Sequence, residues 1–512
     1  MKTKLTICFA IIMSFSASLY SQGAAEALLF SQHRYEGTAR SMAMGNAFTS
    51  LGGDSYSISI NPAASAVYRY SEFTITPSLN RESGSTNYLG DNYSEKWSRF
   101  GISNIAFVAN FKPRNTSNSV KSYSFSVAVN KLNNFTSRYY SSGINTNSSW
   151  LGSLAESLEG IHNSNLDITQ DWNPFFDFPG ASWKGILAWN SNLLDPLPDS
   201  NIDYMGATEN ITGTKIALAG PIRQNFYRER KGNLSEIVFN MGANLSDKLF
   251  VGANLGIQSL YYSDFQRYSE EGINLSQFDS KFQKFDHIYR QTSNGVGINL
   301  KLGFIALPTD DLRIGGSIST PTWLYITDEW DEGIDARYSD GYKRNILSPL
   351  GQYDYRINSP FRWNLGASYI FGKIGLISID YEGVDYSGAK IMTDSGDRHP
   401  FRDENNYISN NFKAVGNIRI GGEIRVNPTF ALRGGYSYYQ NPEKNIGYNT
   451  EYVSGGIGLS NNRGGFIDIA YQQRLSNTED YRLYSDYTNA VAPIGSLEKT
   501  GWKLLVTLGY RF

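Results

Sequence analysis

Cysteine is almost missing from this sequence. The one cysteine among 512 residues is Cys8, and it lies in a stretch that reads as a leader. Trimmed of that leader, the chain has no thiol. That excludes disulfides, iron–sulfur clusters and thiol catalysis, and it suits an oxidising compartment. Histidine is scarce as well: His33, His162, His287 and His399 are the whole set, and none stands at metal-ligand spacing. There is no excess of basic charge. The formal net charge is -2, so nothing is available to neutralise phosphates, and nucleic acid is not an expected partner. Past the N-terminus there is no apolar run of the roughly 18 residues that a membrane helix needs, and mean hydropathy is -0.38. Nucleophile elbows, phosphate loops and dinucleotide fingerprints are absent too. The adjacent carboxylates Asp310-Asp311 and Glu270-Glu271 would point to opposite faces of a strand, so they read as solvated strand ends rather than acid–base pairs. No enzyme activity, cofactor or metal is expected.

What is abundant is glycine and aromatics: 49 Gly, 35 Tyr and 28 Phe. Two all-β readings accommodate them, a soluble tyrosine-rich fold and a transmembrane barrel with aromatic girdles and tight turns. The C-terminus separates the two. Trp502, Leu504, Val506, Leu508, Tyr510 and Phe512 share one face of a period-2 segment, opposite Lys503, Thr507, Gly509 and Arg511. In a soluble sandwich, an edge strand ending in exposed aromatics would invite aggregation. A terminal Phe is also what bacterial barrel-assembly machinery reads.

Similar segments recur near 71–81, 99–111, 122–133, 234–245, 248–262, 294–307, 310–320, 361–371, 373–383, 412–426, 429–440, 451–460 and 464–474, about fourteen strands with 501–512. Ile418, Ile420, Ile424 and Val426 oppose Asn417, Arg419, Glu423 and Arg425, an apolar face against a charged one. Tight turns at Ser246-Asp247, Pro308-Thr309, Gly372, Asn427-Pro428 and 461–463 alternate with long polar loops near 263–293, 321–360, 384–411 and 475–500. Barrels of the outer membrane separate their loops in this way, so the long loops face outward and both termini face the periplasm.

The expected organisation is a signal peptide over 1–21 (Lys2 and Lys4 before an apolar stretch), an N-terminal plug over 22–70 and a barrel over 71–512. The largest loop, 134–233, is an extracellular insertion. In it Trp150, Leu154 and Leu158, and likewise Trp183 and Leu187, repeat at helix spacing. Two readings stand for them: a loop packing on itself, or an outer groove where a hydrophobic ligand lands. Small residues dominate 37–65 and permit close backbone packing in a confined lumen.

Gly37-x-Ala39-Arg40, Met44-Gly45-x-Ala47, Gly53-Asp54 and Asn61-Pro62-Ala63 resemble the hatch of the FadL/TodX family of outer-membrane transport barrels. Ser359-Pro360-Phe361-Arg362, Ala431–Tyr436 and Gly455–Gly458 add weaker similarity, and the resemblance spans most of the chain. It implies a fourteen-strand barrel with an internal hatch that takes up long-chain fatty acid or another hydrophobic small molecule. The hatch, including Asn61, Pro62 and Ala63, rearranges, and cargo leaves sideways into outer-membrane lipid at an inward kink of the third strand. Asn130, Asn133 and Asn134 mark that kink, or else an ordinary strand end. Arg419, Arg425, Arg433 and Lys503 are candidate carboxylate partners in the lumen, or members of its charge network. Some FadL-like barrels instead resemble protein-binding shuttles of secretion systems, and the long insertion suits that role too. Scarce histidine disfavours haem as cargo.

Overall fold

The terminal strand meets the first strand of the barrel. Ile494–Arg511 (β14) pairs with Glu72–Tyr88 (β1) from Asn87↔Ser496 to Glu72↔Arg511, which closes the sheet on itself. This is a computed structural model describing residues 23–113, 119–213, 215–461, 463–488 and 490–512. The leader assigned to 1–21, with Cys8, lies outside the described residues.

Fourteen antiparallel staves make up the wall. After β1 come Asp91–Phe111 (β2), Val120–Asn134 resuming as Ser137–Asn145 (β3), Ile222–Leu245 (β4), Leu249–Gly272 (β5) and Phe282–Ala306 (β6). Then follow Leu312–Ser319 resuming as Trp323–Tyr338 (β7), Gly351–Asn358 resuming as Arg362–Phe371 (β8) and Gly375–Asp385 (β9). Ala414–Asn427 (β10), Phe430–Tyr439 (β11), Thr450–Ser460 (β12) and Gly465–Arg482 (β13) complete the ring. Every strand expected from alternation is present.

Alternation decides which way each residue faces. Ile418, Ile420, Ile424 and Val426 are exposed on the outside, while Asn417, Arg419 and Glu423 are buried inside. The same holds for Ile467, Ile469 and Tyr471 against Asp468 and Gln472. An apolar exterior around a polar interior is the transmembrane barrel pattern. The short turns fall where expected: Ser246 and Asp247 take φ of 58° and 57°, a mirror-image turn that matches strand twist.

The long loops are shorter than expected. β5 runs on to Gly272 and β6 starts at Phe282, so most of 263–293 is strand. The regions 321–360 and 475–500 are likewise largely strand. These outer extensions have no lipid face to enforce an apolar–polar alternation, so their sequences read as polar loop. One outer connection is tight: Leu89 and Gly90 join β1 to β2 with φ of 52° and 91°.

Above the mouth, the insertion between β3 and β4 folds into a cap. It holds helices Trp150–Ser157 (α4), Pro174–Asp177 (α5) and Trp183–Asn190 (α6). Inside the lumen lies the N-terminal segment: a helix over 23–31 (α1), Ala39–Ala43 (α2), Ser57–Ile60 (α3) and a 3-10 turn over Pro62–Val67.

Candidate functional site: the luminal cavity and the break in the wall

The hatch lies directly on the inner faces of the strands. A Cβ on Gly252 would meet Pro62 O at 2.4 Å, and one on Gly303 would meet Asn61 Oδ1 at 2.0 Å. Only glycine admits the hatch so closely there. Asn61 is fully buried. Its Nδ2 donates to Thr49 O at 2.7 Å and to Phe304 O at 2.9 Å, while its Oδ1 accepts from Ala63 N at 3.0 Å. Asn61 therefore caps the turn that Pro62 begins and ties it to β6. Charge adds to the seat. Arg40 pairs with Glu423 at 2.9 Å, and Lys301, itself 2.8 Å from Glu236, donates to Ser59 O at 3.2 Å.

One seam of the wall is incomplete. β2 and β3 pair from Phe111↔Tyr123 to Asn104↔Asn130, and among the described residues no pair joins them above that point. β2 continues upward bonded to β1 as far as Asp91, and β3 continues bonded to β4. Irregularities flank the parting on both sides. Pro77 has no N–H to donate, and the β1–β2 register slips between Thr76 and Pro77. On the other side Leu132 bulges out of the β3–β4 ladder between Lys131 and Asn133. The three asparagines sit at this parting. Asn130 donates to Ser59 Oγ at 2.7 Å, Asn133 donates to Gln32 O at 3.0 Å, and Asn134 Oδ1 accepts from Thr136 N at 3.1 Å.

The hatch takes over the bonds that β2 gives up. Arg34 N donates to Leu132 O at 2.7 Å, and Glu36 N donates to Lys131 O at 3.1 Å. The Glu36 carboxylate, almost wholly buried, reaches Lys131 at 3.6 Å and forms a close ion pair with Lys503 on β14. Hatch, third strand and last strand therefore meet at one carboxylate. Behind the parting, Phe135 packs on Phe30 and Tyr262 with ring centroids 5.6 and 5.8 Å away.

A cavity of about 630 Å³ fills the lumen between hatch and cap. Gln32 and Arg34 of the hatch line it, with 133–137 of β3, Arg228, Arg230 and Asp264 on one wall, and Tyr452, Arg474, Lys499 and Lys503 on the other. Eight basic and five acidic side chains face it. Burial pushes the carboxyl of Glu443, in the outer loop between β11 and β12, up to about 7.

Two sets of expected site residues lie elsewhere. Trp150, Leu154, Leu158 and Leu187 do not line an outer groove. They are 7%, 6%, 1% and 0% exposed in a core shared with Phe278, Phe282 and Phe285, and Trp183 packs at a tilt against Trp330 at the margin. This cap core is fixed to the wall by Glu270, which accepts from Trp150 N at 2.8 Å and from Gln224 Nε2 at 2.8 Å. Glu270 is therefore buried, not the solvated strand end its sequence suggested.

Arg419 is fully buried, 3.2 Å from Glu382 and 3.8 Å from Asp380. Arg433 is held by Glu423 at 2.8 Å and Asp468 at 2.5 Å. Arg425 lies at the rim with its side chain 58% exposed. Of the three, the first two are committed to carboxylates of the wall, and none faces the cavity. Sequence reading missed Glu36, Lys131, Arg34 and Arg474. Their partners lie far away along the chain, and no local spacing signals them.

The fold and this interior define the class: a fourteen-strand transmembrane barrel plugged by its own N-terminal segment. The same architecture occurs in a Pseudomonas aeruginosa FadL homologue, which is 11% identical with a TM-score of 0.56, over 93% of this chain and 98% of that one. It occurs also in the Pseudomonas putida toluene transporter TodX, 14% identical with a TM-score of 0.50 over the same shares. A second structure of that transporter covers 94% of this chain and 100% of its own, again at 0.50. No protein-family profile and no curated protein matches the sequence. The chain has the fold of the FadL/TodX barrels.

Proposed function

We propose that this barrel sits in a bacterial outer membrane, with both termini in the periplasm, and admits a hydrophobic small molecule passively. Long-chain fatty acid is the first candidate. The cargo enters the cavity from outside and leaves sideways between β2 and β3 into the outer-membrane lipid. One observation carries this reading: 133–137, at the parting of β2 and β3, also line the cavity, so cavity and break adjoin. That the barrel of like fold from P. putida is a toluene transporter supports an apolar cargo.

The physics fits a lateral exit. Each CH₂ that stays out of water keeps roughly 0.8 kcal/mol. An alkyl chain passing from the lumen to the bilayer core keeps that gain, whereas a water-filled axial pore would forfeit it. In this mechanism the hatch is the moving part. Asn61-Pro62-Ala63 anchor its lower end to β5 and β6, and the Glu36 contacts hold its upper end against the third strand.

Mass spectrometry of lipid extracted from the barrel, purified from outer membranes in mild detergent, tests the reading. Stoichiometric hydrophobic ligand, lost in N61A, is the expected result. An empty lumen with a secreted protein co-purifying would favour a cargo shuttle instead.

A further inference from the structure

β7 and β8 break at the same height. β7 stops at Ser319 and resumes at Trp323, and β8 stops at Asn358 and resumes at Arg362. Pro321 and Pro360 stand in the two gaps and have no N–H to give a ladder. Two bonds bridge the gaps instead: Ser359 N donates to Thr322 O at 3.0 Å, and Thr322 N donates to Ser359 Oγ at 2.8 Å. A hollow of about 440 Å³ opens beside them, lined by both prolines, Phe361, Trp363 and Gly383 among others.

The hollow is on the outside of the barrel. Phe361, Leu365 and Tyr369 share one face of β8 and are exposed, whereas Arg362, Asn364 and Ser368 are buried in the lumen. On β9 Ile377, Ile379 and Tyr381 are exposed in the same way, and Gly383 is next in that row. The Trp363 ring lies across Gly383, where a Cβ would meet it at 2.3 Å, and packs at a tilt on Tyr381, 5.4 Å away. A strand needs roughly 9–11 residues to cross the hydrocarbon, and β8 spends ten, Arg362–Phe371, above the turn at Gly372. The hollow therefore lies where acyl chains meet headgroups, on the outer side.

Two cations stand at it. Lys390 opens the short strand Lys390–Thr393, which pairs with upper β8. Its neighbour Ile391 is 1% exposed in the core, so Lys390 faces the other way, outward. Arg398 is exposed in the turn after that strand, and both residues line the hollow. Among the described residues neither cation forms an ion pair: Asp385, which also lines the hollow, accepts from Ser387 N and Oγ at 3.1 and 2.6 Å, and Asp397 accepts from His399 N at 2.9 Å. Close by, Arg356 lies over the outward Tyr325 ring and donates to its hydroxyl at 3.0 Å, and its Nε is buried without an acceptor. Cations above an aromatic shelf at this depth match an amphiphile with a phosphate head and an apolar tail.

We propose that this hollow docks a phosphorylated lipid of the outer leaflet, the lipid A anchor of lipopolysaccharide, with a phosphate at Lys390 and Arg398 and an acyl chain along Phe361 and Trp363. The site rests on the outer-membrane reading. It stands on β7 to β9, apart from the luminal cavity and from the open seam of β2 and β3.

The test uses the full barrel in a maltoside detergent at low salt, with binding read by native mass spectrometry. The probes are lipid A bearing its phosphates and the same lipid A stripped of them. The phosphorylated form is expected to bind ~10- to 30-fold more tightly, the span that two cations near a lipid surface give. K390Q/R398Q should bring the two affinities to within about threefold at no cost to the stripped lipid, whereas F361A should weaken both alike. If the double variant does not fold, R398Q alone, in an exposed turn, carries the comparison. Equal affinities in the wild type, or a preference that survives the loss of these cations, would overturn the site and leave hydrophobic transport standing. Displacement of the lipid by inorganic phosphate would overturn it too, in favour of a free-phosphate site. Cell-envelope fractionation reads the location separately: a barrel found outside the outer membrane would remove both the site and the transport reading.

Discussion

Two seams of one sheet behave differently. β4 and β5 pair without a slip from Leu249↔Leu245 to Gly272↔Ile222, through the membrane and on into the outer extension. β2 and β3 part at Asn104↔Asn130. Strand-forming residues do not explain the difference, because Val127 and Val129 lead up to the parting just as Ile237 and Phe239 lead through the intact seam. The difference is in what each seam is offered as a partner. At the intact seam Gly242 and Gly252 let the hatch lie on the ladder without disturbing it. At the open seam Pro77 and Leu132 break register on either side, and the hatch backbone supplies the bonds that β2 withholds. An unpaired edge inside a membrane is costly, and two hatch N–H groups offset part of that cost on the third strand.

The comparison can be broken in several ways. The largest effect is expected from R419A, which takes from buried Asp380 its cation and leaves Glu382 with Arg362 alone. Removing one partner of such a cluster costs ~3–5 kcal/mol, read as a lower urea midpoint, with both seams affected alike. Ligand affinity lost at unchanged stability would instead return Arg419 to the ligand site. L187A is next. Leu187 is fully buried in the cap core, and a large-to-small change there costs about 2–5 kcal/mol. Its damage should stay in the cap, seen as protease cleavage within 146–221 while the barrel persists. Cleavage before any loss of cap packing would contradict the closed core.

E36Q is milder and more selective. It weakens the contacts to Lys131 and Lys503, by about 1–3 kcal/mol. Hydrogen exchange should quicken at 34–36 and 131–134 and stay slow along β4–β5. Uniform acceleration would mean that the hatch does not stitch the open seam. Deleting Leu132 removes the bulge together with a fully buried side chain, so it should cost about as much stability as truncating that side chain in L132A, which keeps the bulge and serves as its control. The functional effect of the deletion should be large, with β3 straightened toward β2 and uptake lost.

The membrane-crossing part of every strand was legible in the sequence, because lipid outside and polar lumen inside force alternation along segments such as 412–426. The outer halves of β5, β6 and β13 were not, since no lipid lies against their outer faces to impose an apolar–polar alternation. The hatch was legible from its small residues, which only a crowded lumen requires. Helix spacing revealed α4 and α6, but their burial depends on Phe278, Phe282 and Phe285, which stand in a stretch that reads as polar loop. Asn130, Asn133 and Asn134 stand where the wall parts, yet Glu36 with Lys503 is separated by 467 residues and leaves no local trace.

The central claim is that cargo leaves through the open seam. Arg99 on β2 donates to Thr136 Oγ1 across that seam at 3.2 Å. The double variant R99C/T136C, joined by a short bismaleimide, would clamp it, and the absence of cysteine beyond Cys8 makes the linkage specific. The control is A109C/F125C, joined in the same way across register partners that are already paired. Uptake of radiolabelled fatty acid by cells carrying each clamped barrel is the measurement. The account predicts uptake abolished by the upper clamp and unchanged by the lower one. Full uptake through a barrel clamped at 99 and 136 would contradict it.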